Sequence, residues 1–211
     1  MNGHPLPTSH GGPLRVIVPG IAGARSVKWL DQITVAHQES QNHYMQRDYK
    51  ILPPDAVDAE SAEKYWGVTP PLMNMPCNSV VAVPSSEETI QLDNGKFEIR
   101  GYALPGGDQG PVIRVDVSLD EGKTWRGAAV VHPTSAGKWA WSLWRFALTK
   151  EDLERDGQEV VDESSHAKRY MITILSKATD KGGNTQEDCG WNLRGVAYNG
   201  YGEAKDVVVE V

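Results

Sequence analysis

Two short segments near the start of the sequence carry residue types that bind anions. His10 and Arg15 stand in a Gly- and Pro-rich stretch, where an imidazole N–H and a planar guanidinium suit a phosphate or an oxyanion. A Gly-rich turn then presents Arg25, Ser26 and Lys28, which offer hydroxyl, backbone and cationic donors but lack the spacing of a P-loop. On spacing alone, a solvated strand start and a tight turn with exposed cations are the favoured explanations of these residues.

Arg194 is a third candidate for anion binding, although an arginine at a strand start is also an ordinary surface residue. The two cysteines, Cys77 and Cys189, lie too far apart in sequence to show metal-site spacing and are too few for a disulfide framework. His37 and His43 lack the helical spacing that makes metal ligands converge, and no G-x-S-x-G pattern indicates a serine hydrolase. We therefore predict no metal ligand among these residues.

Composition limits the classes of protein to which the chain can belong. A length of 211 residues allows one large or two small domains, and 39% hydrophobic residues with 21 glycines is a folded composition. The net charge of −7 and the pI of 5.4 disfavour binding to nucleic acid or anionic lipid. No apolar run approaches the roughly 20 residues that span a bilayer, and the N-terminus lacks a signal-peptide pattern. We expect a soluble, intracellular protein.

The second half of the sequence has the pattern of short strands joined by turns. Residues 112–119 alternate between apolar and polar types, which predicts that Ile113 and Val115 share one buried face. The turn at 120–123 then predicts a hairpin over 112–131. Similar signals mark three more strand segments: 96–103, 170–175 and 207–211. Six or seven strands over about 130 residues predict a β-sandwich.

Only residues 149–157 carry a helix signal, with Thr149 as the N-cap and acidic residues in the first turn. The first half has short extended segments at 14–18 and 27–35, followed by a long Pro-, Gln- and Asp-rich stretch with little alternation. Such a stretch buries little surface by itself. We therefore predict a mainly β chain with a boundary near residue 75.

Taken in order, these segments resemble the C-terminal part of the sulfite oxidase family of molybdenum-cofactor oxidoreductases. Residues 10–15, the VPG-x-x-GARSVKWL run within 16–30, and Arg-Asp-Tyr-Lys at 47–50 resemble the end of the family's cofactor domain. Three later segments, 99–125, 138–144 and 191–196, resemble its immunoglobulin-like dimerisation domain. The resemblance implies an immunoglobulin-like (E-set) β-sandwich over 76–211, preceded in 1–75 by an incomplete piece of the α+β cofactor domain.

The resemblance also implies roles for individual residues. His10 and Arg15 fall where the family contacts its pterin cofactor. Ser26, Val27 and Lys28 fall where the family holds the phosphate end of that cofactor. The implied cofactor is molybdenum–molybdopterin, the implied substrate is sulfite, and the implied partner is a second copy of the chain.

Arg194 matches the arginine that the family directs at the substrate anion. Related nitrate reductases usually carry Met at this position, so Arg194 favours sulfite over nitrate. Two alternatives stay open: a nitrate reductase-type member of the family, and a non-catalytic immunoglobulin-like interaction module.

The sequence departs from the family pattern at the metal ligand. The family's molybdenum-ligating Cys thiolate comes from an earlier part of the cofactor domain, and neither Cys77 nor Cys189 takes its place. We therefore expect a C-terminal portion that retains a partial cofactor site, lacks the haem domain of animal members, and does not oxidise sulfite alone. If it follows the family, it resides in the mitochondrial intermembrane space or the cytosol.

Overall fold

The computed structural model describes residues 3–134, 137–160, 168–188 and 192–211. These residues fall into two compact units. The first unit comprises 3–75 and 192–198, and the second comprises 76–188 and 199–211. Residues 192–198, which carry Arg194, thus belong to the unit formed by the start of the chain.

The described part of the second unit contains ten strands in two sheets. In chain order they are β1 (Asn78–Val83), β2 (Thr89–Gln91), β3 (Lys96–Leu104), β4 (Val112–Ser118), β5 (Arg126–Gly127), β6 (Ala129–Val131), β7 (Ser142–Thr149), β8 (Gln158–Val160), β9 (Arg169–Asp180) and β10 (Gly202–Glu210). One sheet has the order β1-β3-β7-β6, and the other has the order β2-β10-β9-β4-β5, with β8 paired to β9. The pairings are antiparallel except for that of β2 with β10. The prediction of a mainly β chain is confirmed.

The core of this unit combines the inward side chains of both sheets. Strand β7 shows the pattern most clearly, because Trp144, Phe146 and Leu148 are buried while Arg145 and Ala147 between them are exposed. Ile99 from the same sheet and Val117 and Ile174 from the other join them in one apolar cluster. Burying each such side chain contributes about 1.5–3 kcal/mol, which makes this cluster the main source of stability for the unit.

The hairpin predicted over 112–131 is only partly formed. Strand β5 pairs with β4, but β6 pairs with β7 of the other sheet, so the chain changes sheets around Ala128. The prediction that Ile113 is buried is wrong, since its side chain is 58% exposed. A register shift between Val112 and Arg114 turns Val112 inward instead, and Val112 is fully buried.

The structure confirms the predicted helix and adds a second. Helix α2 (Lys150–Asp156) begins with Thr149 as N-cap, in a capping box with Asp152. Helix α1 (Ala59–Trp66) lies in the first unit, where the sequence analysis predicted only irregular chain. It too has a capping box, made by Asp58 and Ser61. No helix of the described chain is long and apolar enough to cross a membrane.

The first unit consists mainly of loops and single turns. The segments predicted to be extended at 14–18 and 27–35 do not form strands, although backbone hydrogen bonds join residue 16 to 27 and residue 30 to 14. Short turns of other helix types occupy Thr8–His10, Gly23–Arg25 and Tyr44–Asp48. A small cluster of buried residues, Leu52, Ala56 and Ala62, packs with Tyr65, Trp66 and Leu193.

Candidate functional site

The structure joins the two segments that the sequence analysis named as candidate anion-binding sites into one pair of loops. The Arg15 guanidinium donates from Nη1 to the carbonyl of His10 at 3.2 Å and from Nε to the carbonyl of Ser26 at 3.2 Å. The Lys28 ammonium donates to the carbonyl of Ser9 at 2.9 Å. Arg15 and Lys28 therefore tie residues 8–15 to residues 26–29, and four of the five predicted cofactor-binding residues take part in these bonds.

Gly11 allows the two loops to approach this closely. Its φ of +102° is in the left-handed region, and a Cβ built there would lie 2.8 Å from the Cβ of Lys28. Trp29 secures the same junction, with its indole N–H donating to the Thr8 carbonyl at 2.7 Å and its backbone N–H donating to the Gly11 carbonyl at 3.2 Å. A larger residue at position 11 would force the loops apart.

The loop pair is electropositive, although the chain as a whole is acidic. The first thirty residues contain three cations, Arg15, Arg25 and Lys28, and no Asp or Glu, whereas the net charge of the chain is −7. The His10 imidazole has no hydrogen-bond partner within the described residues, and Val27 is 50% exposed beside Ser26. Free donors, local positive charge and a close backbone approach together suit a phosphate group.

Arg194 is held by an acidic partner within the same unit. Its guanidinium Nη1 lies 2.6 Å from Asp48 Oδ1, and the Nε2 atom of His43 lies 3.2 Å from that same oxygen. The side chain of Arg194 is 43% exposed. One carboxylate oxygen therefore orients the guanidinium while part of its donor fork remains open to solvent.

The loop that carries Arg194 is shaped by a buried asparagine. The side-chain oxygen of Asn192 accepts hydrogen bonds from the backbone N–H groups of Arg194 and Val196, and its amide donates to the Val196 carbonyl at 2.9 Å. Leu193 packs on the small apolar cluster of this unit. The backbone of Arg194 is thus fixed on both sides.

A cavity of about 630 Å³ opens beside the cationic turn and includes residues that the sequence analysis did not select. Arg25, which the sequence analysis named in the Gly-rich turn without assigning it to the cofactor site, also lines this cavity, and it donates from Nε and Nη2 to the Leu72 carbonyl at 3.3 and 3.2 Å. Its guanidinium lies 5.6 Å from the centre of the Tyr49 ring, and Tyr44 and Val27 complete this part of the wall. Tyr49 belongs to the Arg-Asp-Tyr-Lys segment at 47–50, which the sequence analysis used as part of the family resemblance. It assigned no role to Tyr49.

Cys77 is a structural cysteine. Its side chain is buried with Sγ 3.7 Å from the Ala178 carbonyl, and burial, aided by the nearby Asp180 carboxylate, raises the pKa of the thiol to about 12. It therefore stays protonated at neutral pH and is neither nucleophile nor metal ligand in that form. Cys189 lies outside the described residues. In the described ranges, no group of three or more His, Cys, Asp or Glu side chains is arranged to hold a metal ion.

Comparison with known proteins identifies the family. The model of the Mo-co oxidoreductase dimerisation domain matches residues 69–205, and that of the oxidoreductase molybdopterin binding domain matches residues 1–44. Sulfite oxidase from Homo sapiens is 40% identical over 208 residues, and that from Arabidopsis thaliana is 39% identical over 208 residues. A nitrate reductase from Phaseolus vulgaris is 36% identical over 210 residues.

These matches cover nearly all of this chain but only part of each relative. They take in 95%, 93% and 94% of this chain, against 34%, 47% and 22% of the human, Arabidopsis and Phaseolus proteins. The fold is also similar to that of the sulfane dehydrogenase SoxCD from Paracoccus pantotrophus, with a TM-score of 0.63 over 93% of this chain and 46% of that one at 23% identity.

The two-sheet sandwich and the matched dimerisation model place this chain among the molybdenum-cofactor oxidoreductases. More particularly, it belongs to the sulfite oxidase family and corresponds to the C-terminal part of its members.

Proposed function

We propose that this chain serves as the C-terminal portion of an enzyme that oxidises sulfite to sulfate. In that role it holds the phosphate end of molybdopterin, directs Arg194 at the anionic substrate, and joins two copies into a homodimer. The observation that carries the proposal is the convergence of His10, Arg15, Ser26 and Lys28 in one electropositive pair of loops. The relatives named mitochondrial support a place in the intermembrane space, with the cytosol as the alternative.

The residues of the loop pair fit the phosphate end of molybdopterin. Lys28 uses one N–H to bind the Ser9 carbonyl, so two donors of its ammonium remain for a phosphate. Among the described residues, Nη2 of the Arg15 guanidinium has no hydrogen-bond partner, and the Ser26 hydroxyl adds a neutral donor to the same loop pair. When bound, the molybdenum cofactor supplies the two-electron redox chemistry, while these residues bind and orient it.

Arg194 acts on the other charged participant, the substrate. Its carboxylate partner Asp48 restrains the guanidinium before any substrate arrives, which lowers the entropy cost of binding. The free edge of the fork matches two oxygens of a small oxyanion such as sulfite. Arginine at this position supports sulfite rather than nitrate as the substrate.

Cofactor retention provides the first test. The chain is purified from a host that makes molybdopterin, and bound pterin is released by oxidation and measured by its fluorescence. We expect partial occupancy, which Lys28→Met lowers at least about tenfold through loss of a charge-assisted contact worth ~1.5–3 kcal/mol. The matched control is Lys64→Met in helix α1 of the same unit, where the removed ammonium lies near Asp55 instead.

Equal pterin in wild type and Lys28→Met would remove the loop pair from the cofactor site. No pterin in any preparation would favour the non-catalytic interaction module. The chain alone is expected not to oxidise sulfite, and turnover of sulfite with ferricyanide by the isolated chain would overturn that expectation.

Substrate choice requires a complete enzyme, made by joining this chain to the preceding portion of a sulfite oxidase relative. In this chimera, Arg194→Met is expected to raise the KM for sulfite at least about tenfold, by loss of ~1.5–3 kcal/mol of charge-assisted binding. The assay is sulfite-dependent reduction of ferricyanide, with Arg194→Lys as the variant that keeps the charge. Reduction of nitrate without oxidation of sulfite would favour the nitrate reductase-type alternative.

A further inference from the structure

One oxygen of the Asp48 carboxylate is shared by two side chains that respond differently to pH. Nη1 of Arg194 lies 2.6 Å from Asp48 Oδ1, and Nε2 of His43 lies 3.2 Å from the same oxygen. A guanidinium keeps its charge at every physiological pH, whereas an imidazole gains or loses its charge between about pH 5 and 8. Within this group of three residues, the Asp48 cluster, the pairing of Arg194 therefore depends on a neighbour whose charge varies.

The exposure of the three side chains makes this dependence effective. The Asp48 side chain is 20% exposed, whereas those of His43 and Arg194 are 65% and 43% exposed. The carboxylate is thus largely shielded from water, while the imidazole can exchange protons with the solvent directly. Partly buried charges are screened less by salt than fully exposed ones, so protonation of His43 acts on the shared carboxylate with little loss.

The other charged groups around this turn are engaged elsewhere. Arg47 points to helix α1, where its Nη1 atom lies 2.7 Å from Glu63 Oε1. The Glu39 carboxylate accepts a hydrogen bond from the Gln46 side chain at 3.3 Å. In the part of the chain that the structure describes, the cation and the imidazole of the Asp48 cluster thus form ion pairs only with its own carboxylate.

The Asp48 cluster adjoins the cavity beside the cationic turn. The His43 ring meets the Tyr44 ring edge-on with centroids 6.2 Å apart, and the Tyr44 ring lies 6.3 Å from that of Tyr49. Both tyrosines line the cavity of about 630 Å³. A change of charge at His43 therefore takes place next to the cavity wall, where an anion in the cavity would experience it.

We propose that His43 is a positioning residue for Arg194 and that its protonation strengthens the binding of a small oxyanion. The proposal rests on the proposed role of Arg194 in substrate binding and goes beyond it by adding a pH-dependent partner. With a neutral imidazole, the guanidinium and the carboxylate of the Asp48 cluster cancel, whereas an imidazolium leaves the cluster with a net positive charge. The imidazolium also competes for Asp48 Oδ1, which frees more of the Arg194 guanidinium for the anion.

The test uses the chimeric enzyme introduced for the substrate assay, with inorganic sulfate as the probe. Sulfate is the product of the proposed reaction, and its charge is constant between about pH 5.5 and 8.5, the range in which a histidine titrates. The constant for competitive inhibition of sulfite oxidation by sulfate is measured at both ends of this range, at low ionic strength.

We expect sulfate to bind more tightly at the lower pH because His43 is then protonated. The ratio of the inhibition constants at the two pH values should be at least about threefold larger in the wild type than in His43→Gln, the size of a partly exposed charge interaction. His43→Lys keeps a cation throughout and should already show at high pH the affinity that the wild type reaches at low pH. His37→Gln is the matched control, since His37 is an exposed histidine of the same unit.

The outcomes separate this proposal from the proposed function. Equal ratios in the wild type and His43→Gln would overturn the role of His43, and so would an equal loss in His37→Gln, while oxidation of sulfite by the same chimera would leave the proposed function intact.

A chimera that does not oxidise sulfite would overturn the proposed function alone. Sulfate is then titrated into the isolated chain and followed by the carbon-13 signal of Arg194 Cζ. Tighter binding at the lower pH in the wild type but not in His43→Gln is expected there. A response of Arg194 that is absent or independent of pH would overturn the proposal, and circular dichroism verifies that each variant is folded.

Discussion

The two units of this chain differ in what holds them together. The sandwich has a continuous core drawn from both sheets, whereas the first unit buries only a few apolar side chains around Leu52 and Ala62. In the first unit Ile17, Ile33 and Val35 are 68%, 75% and 96% exposed. Its two loops at residues 8–15 and 26–29 are positioned instead by hydrogen bonds from cationic and aromatic side chains to backbone carbonyls. The candidate site residues thus lie in the unit with the smaller core, where their hydrogen-bond donors remain accessible.

The largest expected effect tests the core itself. Leu148 in the sandwich is fully buried and Leu52 in the first unit is 2% exposed, so both substitutions to Ala delete the same buried group. Leu148→Ala should lower the free energy of unfolding by about 2–5 kcal/mol, because it opens a cavity in a large packed cluster. Leu52→Ala should cost less, since its small cluster can collapse. Urea denaturation checks both, and equal losses would contradict the comparison.

The second prediction concerns the buried carboxylate of Asp152, in helix α2 of the sandwich unit. Burial by itself would raise the pKa of the Asp152 carboxyl, but hydrogen bonds from the Thr149 amide and the Arg126 guanidinium outweigh it and lower the pKa below its usual 3.8. Because the pKa of Asp152 is lower in the folded state than in the unfolded state, the ionised carboxylate stabilises the folded state. This stabilisation is fully present above the unfolded-state pKa and is lost as the pH falls through the folded-state pKa.

Asp152→Asn should therefore cost about 1–3 kcal/mol at pH 7, with the difference from wild type shrinking as the pH falls below about 4. Urea denaturation at a series of pH values measures it. Asp108→Asn is a suitable control, because its side chain is 57% exposed and its ion pair with Lys138 contributes little. A difference that persists unchanged at pH 2 would show that the carboxylate charge is not the cause.

The smallest expected effect lies in the first unit, at the junction of its loops. Gly11→Ala should destabilise that unit locally by about 1–2 kcal/mol, because the residue has positive φ and the new Cβ would press on Lys28. Gly23→Ala is the matched control, since a Cβ there meets no atom within 4 Å. Amide hydrogen exchange over residues 8–30 measures the change. Similar exchange in both variants would show that close approach at Gly11 does not hold the loops together.

Local sequence patterns predicted the parts of the fold that depend on local rules. Strand patterns located β3, β4 and parts of β9 and β10, but the sequence analysis named no strand at β1, β2, β7 or β8. The capping residue Thr149 located helix α2. The sheet change near Ala128 escaped prediction because strand pairing depends on partners distant in sequence, and a single register shift reversed the side of Ile113. Helix α1 gave a weak signal, since only Ala62 of its residues is buried.

In the candidate site, the sequence predicted which segments belong together but not the contacts between residues distant in sequence. The resemblance grouped His10 and Arg15 with Ser26, Val27 and Lys28, and the structure brings these two segments together. The pairing of Arg194 with Asp48 and the place of Tyr49 in the cavity wall depend on contacts between distant segments. Neither arrangement has a signature in the order of residues alone.

The absence of acidic residues from the first thirty positions has a consequence for how anions reach this unit. At physiological ionic strength, charges are screened beyond a Debye length of about 8 Å. An approaching anion therefore responds to Arg15, Arg25 and Lys28, the three cations of the first thirty residues, only over the last few ångströms. The proposed capture of anions by the loops is thus a short-range event, whose rate is expected to fall as the salt concentration rises.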